Sequence, residues 1–153
     1  MQKKINIQNK KARFEYEILD KFVAGIQLTG TEIKSIRLSQ ARITESFCEF
    51  NDRGELFIVN MYIQEYMFGH HFNHKPKSER RLLLNKRELR SLKKDVEAKG
   101  NTIVPLKLFI NDNGFAKLEI ALAKGKQTHD KRNVIKDRDN KRDLARIKKK
   151  FNA

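Results

Sequence analysis

From Arg13 to Leu28 apolar and polar positions alternate, with Phe14, Tyr16 and Ile18 on one side and Glu15 and Glu17 on the other. Gly25 interrupts, and Ile26 and Leu28 resume, so the period of two predicts one long or bent strand. The period then changes. Thr29-Gly30-Thr31-Glu32 forms a capping box, in which hydroxyl and carboxylate satisfy free backbone N–H groups. A short helix should follow, burying Ile33 and Ile36 and turning Lys34 and Arg37 outward. Glu45 to Phe50 and Glu55 to Ile63 read as paired strands around Asn51-Asp52-Arg53-Gly54. Residues 64–80 hold no sustained period and contain His70, His71, His74 and Pro76, which predicts a long surface loop. Leu82 to Leu84 reads as a buried strand. Asn85-Lys86-Arg87-Glu88 starts a second helix that places Leu89, Leu92 and Val96 on one face and stops by Gly100. A last hairpin should set Leu106, Leu108 and Ile110 against Ala116, Leu118, Ile120 and Leu122 across Asn111-Asp112-Asn113-Gly114.

About six short strands with two or three short helices are too little helix to cover a parallel sheet. The expected fold is mainly β: a small antiparallel barrel, closed or half-closed, of the oligonucleotide-binding type. It should occupy residues 1–123, with a basic tail over residues 124–153. No internal repeat is visible.

Charge changes the picture next. The 153 residues carry 34 Lys or Arg and 19 Asp or Glu, a net charge of +15, and the pI is about 10.0. Residues 124–153 hold twelve basic and four acidic side chains, net +8. That segment has roughly three times the net charge per residue of the chain as a whole and few large apolar residues, so alone it should be disordered. Asp137 with Lys141, Asp139 with Arg142 and Asp143 with Arg146 stand at helical pairing distances, and Leu144, Ile147 and Phe151 share a stripe. The tail is therefore expected to fold as a helix on an anionic partner. A generic phosphate-binding tail, or a basic structural ribosomal protein, fits the charge as well.

Other chemistries find less support. Glu15, Glu17, Asp20 and Glu32 are the carboxylates an acid–base or metal-assisted reaction would draw on, but no catalytic spacing joins them. Glu32 already has a capping role. His70-His71-x-x-His74 with Cys48 could suggest a metal, yet adjacent histidines before Pro76 in a basic loop fit an RNA-facing or solvated loop better. No enzyme, metal or cofactor is expected. The single cysteine excludes an internal disulfide, and the apolar runs are too short for a membrane span. A cytoplasmic monomer with no membrane partner is expected.

Sequence motifs sharpen this reading. Lys124-Gly125-Lys126-Gln127-Thr128-His129-Asp130-Lys131-Arg132 is followed by Ile135-Lys136-x-Arg138-Asp139. Earlier come Asn9-Lys10-Lys11-Ala12, Leu28 to Arg37 and Arg81 to Glu88. In this order they resemble the small protein B family, the bacterial partners of transfer-messenger RNA, over nearly the whole chain. The resemblance implies an oligonucleotide-binding type barrel that holds the tRNA-like part of that RNA. It also implies a role in trans-translation, the rescue of stalled ribosomes. The tail would enter the small-subunit decoding centre in place of a codon–anticodon pair and lie helically in the message channel. By motif position, Asn9, Lys10, Lys11, Lys34, Arg37, Leu83 and Asn85 are implied as barrel contacts to RNA. Gly125, Lys126, His129, Asp130, Lys131 and Arg132 are implied as the decoding-site set. Lys136, Arg138 and Arg142 continue the tail, and Ile147 with Lys148 matches a distal tail position. Many relatives carry an acidic residue where this chain has Val23, so the resemblance assigns no RNA role there.

Overall fold

The structure, a computed structural model, describes residues 4–98 and 100–125. In chain order its elements are β1 (Asn6–Gln8), α1 (Lys10–Glu15), β2 (Tyr16–Ile26), α2 (Gly30–Arg37), β3 (Ala41–Arg42), β4 (Phe47–Phe50), β5 (Leu56–Val59), β6 (Tyr62–Ile63), β7 (Arg80–Leu83), α3 (Lys86–Val96), β8 (Asn101–Ile110) and β9 (Ala116–Gly125). A single 3-10 turn, His70–Phe72, lies in the loop before β7.

Two hairpins are built by the same local device. The Asn111 side-chain oxygen accepts the N–H groups of Asn113 and Phe115, at 3.1 and 2.9 Å, and Gly114 takes a φ of 86° that only glycine adopts freely. Asn51 does the same for Arg53 and Glu55, with Gly54 at φ 79°. The first device joins β8 to β9, the second β4 to β5.

All strand pairings are antiparallel, in the order β1-β8-β4-β5-β7-β2-β9, and β8 also pairs with β9. Six strands thus follow one another in a circle, with β1 added outside β8. The circle is uneven. The β2–β9 and β8–β9 ladders are long, whereas β4 meets β8 through one register pair, Cys48 opposite Ile103. The sheet is therefore strongly curled but not sealed as a true barrel. β3 and β6 form a separate two-stranded ribbon, because Asn60, at φ 66°, turns the chain away after Val59.

Inside the curl lie Ile26, Ile58, Leu82, Ile103, Leu108, Leu118 and Ile120, closed from the ends by Ile36 of α2 and Leu92 of α3. Both capping boxes predicted for these helices are present in full. Lys34 and Arg37 are exposed as expected.

Three expectations need correction. First, α1 and β1 were not foreseen, so Phe14 and Glu15 belong to a helix and the strand begins at Tyr16. Second, β2 bends at Leu19, where its register against β9 shifts, while Gly25 remains paired with both Leu83 and Lys117. Third, Leu106 does not face Ile120. A bulge between Pro105 and Lys107 turns it to the outer side of the sheet, into a small second core with Ala12, Val104, Ala121 and Ala123. α1 covers that core. In addition, β9 runs on through Lys124 to Gly125, paired with Glu17 and Tyr16, two residues beyond the expected end of the sheet.

Candidate nucleic-acid interface

On the open outer face of β7, β2 and β9 the strand period lines up Lys21, Val23 and Gly25 of β2. Leu83 of β7 stands opposite Gly25, and Lys117 and Glu119 of β9 stand opposite Gly25 and Val23. Gly25 is what keeps this face flat. A Cβ there would lie 3.3 Å from the Leu83 Cβ and 3.7 Å from the Lys117 ammonium. Val23 and Leu83 are 53% and 49% exposed, so two apolar side chains stand in water beside a lysine. Exposed apolar groups rimmed by cations suit an RNA, whose sugars and bases present flat faces and whose phosphates present charge.

Asn85 closes one side of this face. Its side-chain oxygen accepts the Glu88 N–H at 2.8 Å, and the Glu88 carboxylate accepts the Asn85 N–H at 3.3 Å. The cap uses the oxygen only. The exposed amide's Nδ2 donor takes no part in it, so cap and RNA donor are compatible in one residue. The remaining charges are partly paired. Arg81 meets Glu55 at 3.1 Å, and the Asn51 hydrogen bond, then Arg81, hold the Glu55 carboxyl below its usual range. Arg13 reaches Glu119 at 3.4 Å.

The other candidates are placed differently. Asn9 is 3% exposed and caps α1, its oxygen accepting the Ala12 N–H at 3.1 Å. Its Nδ2 donates to the carbonyls of Pro105, at 2.9 Å, and Ile43, at 3.4 Å, and its own N–H donates to the Leu106 carbonyl. The resemblance implied an RNA contact at Asn9; in the structure it holds a buried post with both amide atoms hydrogen-bonded within the protein. Lys10 and Lys11 are exposed. Lys11 pairs with Glu45, whose hydrogen bond and charge raise the lysine's pKa. Lys34 lies over the Tyr66 ring, 5.5 Å from its centre, and Arg37 borders a hollow with Lys4, Asn111 and Asp112. Both stand on α2, apart from the sheet face. Gly125 ends β9; Lys126, His129, Asp130, Lys131, Arg132, Lys136, Arg138, Arg142, Ile147 and Lys148 lie outside the described residues.

The histidine loop also needs correction. His74 is buried, its Nε2 donating to the Ile63 carbonyl and its Nδ1 bonded to the Thr31 hydroxyl, each at 2.9 Å. Beside it Arg80 and Glu32 form a buried ion pair, with Arg80 also donating to the carbonyls of Met61, Lys75 and Pro76. Glu32 thus pins the loop as well as capping α2, and both it and His74 are engaged in structural hydrogen bonds. Among the described residues no three His, Cys, Asp or Glu side chains gather as a metal site. No helix among those residues is long and apolar enough to cross a membrane.

Lys21 and Lys117 were missed in the sequence. Phase along β2 would have found Lys21, two residues before Val23. Lys117 needed the β2–β9 register, which nothing local encodes.

Residues 6–150 match the family described as SmpB protein. The chain is 68% identical over 151 residues to the SsrA-binding protein of Flavobacterium psychrophilum, covering 99% of this chain and 100% of that one. It is 64% identical to the protein of the same description from Flavobacterium johnsoniae, over 99% and 100% of the two chains. Among solved structures, a chain of one described as "tmRNA-SmpB: a journey to the center of the bacterial ribosome" superposes with a TM-score of 0.67. It is 47% identical, with 80% of this chain and 85% of that chain covered.

Proposed function

The chain belongs to the SmpB protein family, and from that premise we propose that it binds transfer-messenger (SsrA) RNA and brings it to stalled ribosomes for trans-translation. The observation that carries this reading in the structure is the flat outer face of β7, β2 and β9, where Val23 and Leu83 stand exposed about Gly25 with Lys117 and Asn85 at its margins. It gives RNA an apolar surface, a neutral donor and cations within one continuous patch.

In this reading Leu83 and Asn85 touch the tRNA-like part of the RNA, and Val23 adds an apolar contact. Lys10 of α1 and Lys34 and Arg37 of α2 supply phosphate contacts away from the sheet face. Residues 126–153 serve the ribosome: Lys126 and His129 to Arg132 in the decoding centre, and Ile147 with Lys148 farther along the message channel. The protein acts by binding, without catalysing a reaction, as a monomer in the bacterial cytoplasm. What supports the division of labour is charge placement, since residues 126–153 carry eleven basic and four acidic side chains beyond the last strand.

The test separates the two partners. The full chain should bind transfer-messenger RNA in preference to bulk tRNA. A chain ending at Gly125 should bind it nearly as well while losing peptide tagging on stalled ribosomes. Loss of RNA binding on truncation would overturn the division of labour. Stoichiometric ribosome association that is indifferent to transfer-messenger RNA would instead favour a structural ribosomal component.

A further inference from the structure

The outer side of α3 is a strongly charged surface that the reading above leaves unused. Lys86, Arg87, Arg90, Lys93 and Lys94 are all exposed. At 100° per residue they fall within an arc of about 120°. Leu89, Leu92 and Val96 occupy a separate arc facing the core. The two acids, Glu88 and Asp95, fall outside both, and Glu88 is committed to the capping box.

This segregation is electrostatically unfavourable for the helix. Lys86 and Arg90, and Arg90 and Lys94, are like charges at i,i+4, and Arg87 with Arg90 and Arg90 with Lys93 are like charges at i,i+3. Within the helix neither acid stands three or four residues from any of the five cations; the C-cap residue Glu97 follows Lys93 and Lys94 at those spacings, which leaves Lys86, Arg87 and Arg90 with no acidic neighbour along the helix. Lys86 and Arg87 also occupy the first turn, at the positive end of the helix dipole, while Lys93 and Lys94 stand in the last turn, where the dipole favours cations. None of the five is in an ion pair with a described residue. A solvated helix selected for stability alone would interleave its charges.

We propose that the cationic face of α3 is a phosphate-binding surface that extends the RNA interface beyond Asn85. The occupant is the sugar–phosphate backbone of an RNA already seated on Leu83 and Asn85, so the proposal rests on the RNA-binding reading above. Continuity argues for it: Leu83 ends β7, Asn85 caps α3, and the five cations follow directly, on the helix that carries the cap. Polyanion phosphates neutralise the like-charge repulsion that the free helix retains.

The experiment compares the full chain with a neutral triple variant, Lys86→Gln, Arg90→Gln and Lys93→Gln, and a charge-retaining one, Lys86→Arg, Arg90→Lys and Lys93→Arg. Each is titrated with transfer-messenger RNA at several salt concentrations, and its melting temperature is measured. The neutral variant should bind at least about tenfold more weakly and lose roughly 0.7 to 0.9 of log–log salt slope for every phosphate contact removed. Its melting temperature should be unchanged or higher. The charge-retaining variant should bind like the parent. Unchanged affinity and slope in the neutral variant, or equal losses in both variants, would overturn the proposal. A parent chain without preference for transfer-messenger RNA over bulk tRNA would instead overturn the reading on which it rests.

Discussion

Asn9 shows how far one side chain's role can depart from its motif. Its amide satisfies a helix cap, a strand carbonyl at Pro105 and a loop carbonyl at Ile43 at once, all out of water. Asn9→Ala should therefore cost about 2–4 kcal/mol in denaturant unfolding, the sum of a lost cap and stranded buried acceptors. RNA affinity of the folded protein should barely change. The residue was legible as part of a motif, but its burial was not, because the bulge that receives it lies in β8. Cys48 carries a second residue-scale consequence. Burial pushes its thiol far above the ordinary range. Below about pH 8.5 both folded and unfolded thiols are protonated and the group adds nothing to pH dependence. Above that, the unfolded chain releases a proton that the folded one keeps, so stability should fall by up to about 1.4 kcal/mol per pH unit. Cys48→Ala should flatten that alkaline decline, measured as unfolding midpoints between about pH 7.5 and 10.5.

At the scale of the element, the devices that were legible are local ones. The capping boxes at Thr29 and Asn85 and the Asn-x-x-Gly turns at Asn51 and Asn111 need only neighbours a few residues away, and all four form as read. β1 and α1 escaped because a three-residue strand and a six-residue helix have almost no signal of their own. They exist through tertiary partners, β8 for one and the Ala12–Leu106 cluster for the other. At the start of α3, substitution can separate cap from contact. Asn85→Asp keeps the accepting oxygen, so stability should stay within about 0.5 kcal/mol of the parent, whereas Asn85→Ala should lose about 1 kcal/mol. Asn85→Asp also removes the Nδ2 donor and adds a negative charge, and it should weaken binding of transfer-messenger RNA more than Asn85→Ala does. If Asn85→Asp binds like the parent, Asn85 is a cap alone.

For the whole molecule, the unequal ladders set where it opens. β2, β8 and β9 share long registers and enclose buried side chains on both faces, whereas β4 meets β8 at one pair and β7 meets β2 at two. Amide hydrogens of β9 and the middle of β8 should exchange slowest, and those of β4, β5 and β7 earlier, in native-state exchange. Uniform protection round the sheet would contradict this. Sequence patterning conveyed the antiparallel, mainly β class because alternation and turn chemistry repeat along the chain. It did not convey the open seam or the Leu106 reversal, since both depend on register between distant strands. That register has a genetic side. Asn9 and Pro105, 96 positions apart, share one hydrogen bond, and the Leu106 carbonyl takes the Asn9 N–H. A deletion at Leu106 would remove the bulge and, with it, the carbonyl that takes the Asn9 N–H. Mutations at these two places, far apart in sequence and touching in space, should therefore be epistatic, each altering what the other costs.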